Sequence, residues 1–155
     1  MNRIHEDIRT YGFHAVGVFP VKAGDPPAFE YTVTAHTEPY DLITTGLGIQ
    51  GNHSVIWNAW REMHKRGITL AQVDAEGSVA LRDVITGRNG EEMIMYLMRS
   101  PQAMARGATL ARRCDPDTVI LSLVWADPNG LYPWDAGMDD RMREVQGFTP
   151  FSVRV

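Results

Sequence analysis

Three places in this chain carry residues whose types and spacing can do chemistry. The first is His36-Thr37-Glu38, followed closely by Asp41. A histidine beside a carboxylate can act as a base with its orienter. The same donors can ligate a divalent metal, although no fixed metal motif is present. The competing reading is a polar hairpin connection held by local hydrogen bonds. The second place is Asp127 to Asp140, where Asp127, Asp135, Asp139 and Asp140 are interleaved with Trp125 and Trp134. A calcium loop starting at Asp127 would need an oxygen ligand fifth, glycine sixth and glutamate twelfth. Leu131, Tyr132 and Met138 stand there instead. Two readings remain. In one, the tryptophans stack on a planar ligand whose polar edge meets Asp127 or Asp135. In the other, Asp127 starts a turn, Asp135 or Asp139 caps a helix, and the tryptophans pack on the sheet.

The third place is a helix bearing His53 and His64. They stand three turns apart, roughly 16 Å along the axis, too far to share one metal ion. The zinc-protease pattern of two histidines at i and i+4 is absent. One of them can face a pocket with His14 or His36; otherwise both flank a tryptophan-rich core face. Other chemistries find little support. Ser54, Ser78 and Ser122 lack the nucleophile-elbow context. Cys114 follows Arg112-Arg113, yet its place after a helix suits an ordinary thiol. Gly46, Gly48 and Gly51 are read as shaping a turn, without the strand-to-helix register of a dinucleotide fingerprint. Backbone amides at the start of the following helix can still hold an anion. Arg99, Arg106 and Arg113 would share a face only on a continuous helix, which Ser100-Pro101 interrupts.

Composition narrows the classes. The 155 residues fit one ordinary domain. Fifteen Lys and Arg against 19 Asp and Glu leave a net charge of −4, so no overall basic field favours nucleic acid. The single cysteine, Cys114, excludes an intramolecular disulfide and a four-thiolate metal site. Met1 to Thr10 is polar and shows no signal-peptide core. No stretch approaches the ~20 apolar residues of a membrane span. A soluble cytoplasmic protein is expected.

Positioning these residues requires strands and helices. Phe13–Phe19, Phe29–Ala35, Leu42–Leu47, Val79–Ile85 and Thr118–Trp125 read as strands, the last being central. The clearest helix runs from His53 to Arg66, with Asn52 as N-cap, Gly67 as terminator, and Ile56, Trp60 and Met63 buried. Glu91–Arg99 reads as helical, and a new helix is expected from Ser100-Pro101 to Arg112 or Arg113. Asp127-Pro128-Asn129-Gly130 reads as a turn, Leu131–Trp134 as a continuation of the sheet, and a short helix ends near Val145. The expected fold is a single α+β domain over residues 1–147, with a mixed, mainly antiparallel sheet packed by two or more helices. Residues 148–155 are a tail or a final strand.

Two segments resemble a known bacterial family. DPPAFEYTV (Asp25 to Val33) with PYDLITTGL (Pro39 to Leu47), and VWADPNGLYPWDAGMDDRMREVQ (Val124 to Gln146), look like the domain of unknown function 4262 family. Gly12-Phe13, Val16 and Phe19 fit as well, so the resemblance spans Ile4 to Gln146. Thr34, Glu38, Ser122 and Ala126 stand where the family tends to have glycine, histidine, glutamine and proline. The resemblance implies a bacterial or phage source and no particular activity. The leading expectation is a non-catalytic binding or regulatory protein. Its site would use Tyr31, His36, Trp125, Trp134 and Asp135 for a small planar or anionic ligand or a protein partner. The rival is a small hydrolase or nucleotide-processing enzyme using His36 with Asp41 or Asp127. A third is a homo-oligomer joined through exposed aromatics.

Overall fold

The computed structural model describes residues 3–18, 31–36, 39–87, 89–102, 104–105 and 117–148, with side chains for all of these except 3–5 and 35–36. A first helix, α1 (Arg3–Tyr11), ends at Gly12, whose N–H donates to the Ile8 carbonyl at 2.9 Å. The φ of +92° there suits glycine, which has no Cβ to clash. Three strands follow as an antiparallel meander: β1 (Phe13–Val18), β2 (Tyr31–His36) and β3 (Tyr40–Thr45). Next come α2 (Gly48–Arg66) and α3 (Leu70–Glu76). A second meander consists of β4 (Ser78–Thr86), β5 (Glu92–Arg99) and β6 (Val119–Val124). The meanders join through their last strands. β3 and β6 pair in parallel, Tyr40 opposite Val119 and Ile43 opposite Ser122, giving the order β1-β2-β3-β6-β5-β4. After an irregular stretch comes α4 (Asp140–Val145).

The period of two along the strands sorts side chains onto two faces. Leu42 and Leu121 enter the larger core under α2, whereas their neighbours Ile43 and Ile120 enter a smaller core on the other face. Val55, Ile56, Trp60 and Met63 of α2 cover Leu42, Leu81, Met95, Leu97, Leu121 and Leu123. The smaller core holds Tyr31, Val33, Ile43, Ile120 and Met104. The helix face expected from the sequence is the buried one. Gly67 ends α2 in the left-handed conformation, φ 65°, and the Ile68 N–H reaches back to the Met63 carbonyl at 3.0 Å. The α+β class and the mixed, mainly antiparallel sheet are as expected. No described helix is long and apolar enough to cross a membrane.

Several elements differ from the sequence reading. Glu91–Arg99 is not helical; residues 92–99 form β5 between β4 and β6. Met, Leu and Glu favour helices intrinsically, but pairing on both sides overrides so weak a preference. Asn52 does not cap α2. The helix starts four residues earlier, and Asn52 lies inside it, fully buried, its Oδ1 accepting the Leu47 N–H at 3.2 Å. β3 begins at Tyr40 and ends at Thr45, before the glycines. Leu131–Trp134 does not extend the sheet: Leu131 and Tyr132 are irregular, and Pro133 and Trp134 lie in a turn. Beyond Pro101, Gln102, Met104 and Ala105 are helical, and the Ala105 N–H donates to the Pro101 carbonyl at 3.0 Å. Phe19, Phe29, Cys114, residues 106–116 and residues 149–155 lie outside the described residues. On the outer strand β4, the register shifts between Leu81 and Ile85, and Asp83 takes a φ of +59°.

β5 as a core strand has a measurable consequence. Leu97 is completely buried, so Leu97→Ala should cost about 2–5 kcal/mol in urea unfolding. Arg99→Ala, at an exposed position of the same strand, should cost much less.

Candidate functional site

Parallel pairing sends the carboxyl ends of β3 and β6 toward the same end of the sheet. Their continuations diverge there, one into α2 and the other into the irregular stretch from Trp125 to Asp139. In open sheets such divergence leaves a crevice beyond the strand ends. A cleft of about 810 Å³ occupies this position, within the usual range for small-molecule sites. Trp125, Ala126 and Asp127 follow β6 into it, and Gly46 and Leu47 follow β3. Ile85, Met93 and Ile94, from the ends of β4 and β5, supply apolar lining together with Tyr132 and Met142.

The irregular stretch is fixed by side chains that replace absent strand neighbours. Gln146, almost fully buried, acts as a surrogate peptide: its Oε1 accepts the Trp125 N–H at 2.9 Å and its Nε2 donates to the Trp125 carbonyl at 3.1 Å. The indole Nε1 of Trp125 donates to the Thr45 carbonyl at 2.8 Å, and the Thr45 hydroxyl donates to the Val145 carbonyl at 2.5 Å. Both strand ends are thereby tied to α4. Arg143 is 1% exposed. Its guanidinium donates to the Pro133 and Asp135 carbonyls and to the Asp140 carboxylate, holding the loop around Trp134 from below. A buried charge is tolerable only with partners of this kind.

Asp127 starts the turn read from the sequence. The Gly130 N–H donates to the Asp127 carbonyl at 2.9 Å, while Oδ1 accepts the Asn129 and Leu131 N–H groups, both at 2.8 Å. Among the described residues no hydrogen bond engages the other oxygen, Oδ2. The Tyr132 hydroxyl donates to the Ile94 carbonyl at 2.5 Å, bridging the stretch to β5. Burial, then the neighbouring Tyr96 and Asp135, push its phenol above the ordinary tyrosine value. Trp134 stacks on Tyr132, centroids 5.1 Å apart and planes within 4°, and remains 44% exposed. Tyr96 meets both rings edge-on.

The residues named from the sequence fall in different places. Trp125 and Asp127 line the cleft, and Trp134 backs Tyr132 without lining it. Asp135 accepts the Tyr132 N–H at 2.9 Å. Asp139, not Asp135, caps α4, accepting the Arg141 N–H at 2.8 Å. Tyr31 is buried in the smaller core, and that burial raises its phenol pKa. His36 ends β2 opposite Phe13; its side chain, with Thr37 and Glu38, lies outside the described residues. Asp41 is buried at the start of β3, opposite Ile120. Asp127 follows the far end of β6, so roughly 13 Å of strand, from Ile120 to Val124, lies between the level of Asp41 and the loop that carries Asp127. His53 and His64 are exposed on α2, and His53 shares a cavity with His14. Tyr132, Met93, Ile94 and Gln146 were missed. Tyr132 stood between the two named tryptophans, but reading β5 as a helix concealed Met93 and Ile94.

Gly46 stands between β3 and α2, whereas Gly48 opens α2 and Gly51 lies within its first turn instead of in the turn expected before Asn52. At Gly46 and Gly51 the room left by the missing side chain is filled by protein. A Cβ on Gly46 would come within 3.0 Å of Trp125 and 3.1 Å of Val145, and one on Gly51 within 3.2 Å of Leu47. Close packing accounts for these two positions.

The family model described as Domain of unknown function (DUF4262) matches residues 7–139, and the chain belongs to that family. No curated protein and no solved structure matches it. The matched region contains most of the cleft and stops before the helix that secures it.

Gln146→Leu keeps the side chain's approximate volume and leaves the Trp125 N–H and carbonyl buried without their partner. A loss of about 2–5 kcal/mol is expected in urea unfolding, with altered Trp125 fluorescence.

Proposed function

We propose that this member of the family is a binding protein for a small planar molecule carrying an N–H donor, held in the cleft at the ends of β3 and β6. One observation carries the reading: a largely apolar, aromatic-walled cleft is lined by Asp127, whose Oδ2 the surrounding turn leaves unused. Trp125, Tyr132 and Met93 supply flat or adaptable apolar surface for a ring. Glu92, at the rim, is engaged by Arg82 at 2.8 Å, and Glu91 by the Asn89 N–H at 2.9 Å. Asp127 is therefore the carboxylate best placed to select a donor. The pinning by Gln146, Arg143 and Tyr132 presents the site preformed, which lowers the ordering cost of binding.

Fragment screening by NMR with planar heteroaromatics bearing N–H groups, 2-aminopyridine among them, tests the proposal. Binding fragments should shift the Trp125 indole resonance. Asp127→Asn preserves Oδ1 for the turn and exchanges Oδ2 for a donor. It should weaken those fragments by about tenfold or more while leaving the fold intact. Fragments that leave Trp125 unmoved, or that bind Asp127→Asn as well as the native protein, would overturn it.

A further inference from the structure

A second cavity, of about 510 Å³, lies between α1, β1 and the first turns of α2, and shares no lining residue with the cleft. Asp7, Tyr11, His14, His53 and Trp57 line it. Asp7 and Tyr11 are i and i+4 on α1, hence on one face, as are His53 and Trp57 on α2. Gly12 turns the chain sharply so that His14 returns beside Asp7.

The hydrogen bonds set the histidine tautomers. His14 Nδ1 lies 2.6 Å from Asp7 Oδ2. A carboxylate accepts only, so Nδ1 carries the proton, and Nε2 of the neutral ring is left with a lone pair. His53 is the reverse. Its Nε2 accepts the Trp57 indole N–H at 3.1 Å, so the neutral ring carries its proton on Nδ1. Among the described residues no further hydrogen bond engages either ring. The residues lining the cavity thus include an imidazole acceptor oriented by a carboxylate, an imidazole donor oriented by an indole, and aromatic rings. Tyr11 and Phe13 both meet Trp57 edge-on, centroids 5.5 and 4.6 Å away. No three His, Cys, Asp or Glu side chains among the described residues are grouped to hold a metal, so the pair is better suited to an organic ligand.

We propose that this cavity is a second ligand site, specific for a phenolic hydroxyl on an aromatic ring. A hydroxyl donates one hydrogen bond and accepts others. His14 Nε2 takes its proton-donor side, His53 Nδ1–H supplies a donor to its oxygen, and Tyr11 and Trp57 pack the ring. Asp7 is a positioning residue that fixes the His14 tautomer.

Fluorine NMR of 4-fluorophenol, with 4-fluorotoluene as the hydroxyl-free control, tests the site on the full chain. Saturable binding of the phenol, at least about tenfold tighter than that of the control, is expected. His14→Phe should abolish the preference, whereas Asp127→Asn in the separate cleft should leave it unchanged. Asp7→Asn serves as a second variant. It should reduce phenol affinity and shift the nitrogen-15 signals of His14 toward a mixture of tautomers, with circular dichroism unaltered. Equal binding of phenol and control, or a preference that survives both His14→Phe and Asp7→Asn, would overturn the proposal.

Discussion

The parallel pairing of β3 with β6 is the constraint on which the rest of the molecule depends. Each meander by itself is local: its strands pair with sequence neighbours. Joining them in parallel requires the chain to travel from one end of the sheet back to the other, which α2, α3, β4 and β5 accomplish. The helices then have to cover the face holding Leu42 and Leu121, and they do so with the apolar stripe of α2. The same pairing leaves two strands ending side by side with departing chains. The cleft is the geometric residue of that divergence.

A chain that leaves a sheet among buried surroundings must satisfy its backbone elsewhere. Here α4 performs that task through Gln146 and Arg143, whose side chains make the hydrogen bonds a further strand would have made. The arrangement rigidifies Trp125, the Asp127 turn and Tyr132 without filling the space in front of them. Thr45, at the end of β3, joins the same network through its hydroxyl and carbonyl. Stability and site geometry thus rest on the same few groups.

Much of this was legible in the sequence because single elements announced it. TVILSLVW is too apolar for an edge, and it is the strand between β3 and β5. Gly67, Asp139 and the Asp127 turn act through local backbone chemistry and lie where their residue types put them. EMIMYLMR was illegible for the opposite reason: it is apolar on both faces and built from helix formers, so only its two partner strands determine its conformation. Asn52 looked like a cap because its type is favoured there, but its actual role depends on where β3 ends. Trp125 and Asp127 were found as a pair with polar and stacking potential. The contact between Asp7 and His14 was not, since it depends on the angle at which α1 enters β1.

The bulge on β4 bears on how the molecule behaves among copies of itself. An open sheet ends in strands whose outer peptide groups can recruit another chain. On β4 the register slips between Leu81 and Ile85, and Asp83 at φ +59° breaks the flat run of donors and acceptors. Arg82 and Asp83 also place exposed charge of both signs at the same spot. A copy trying to continue the sheet there would find no straight template to zip along. That edge of the sheet is thereby a poor template for the addition of a further strand.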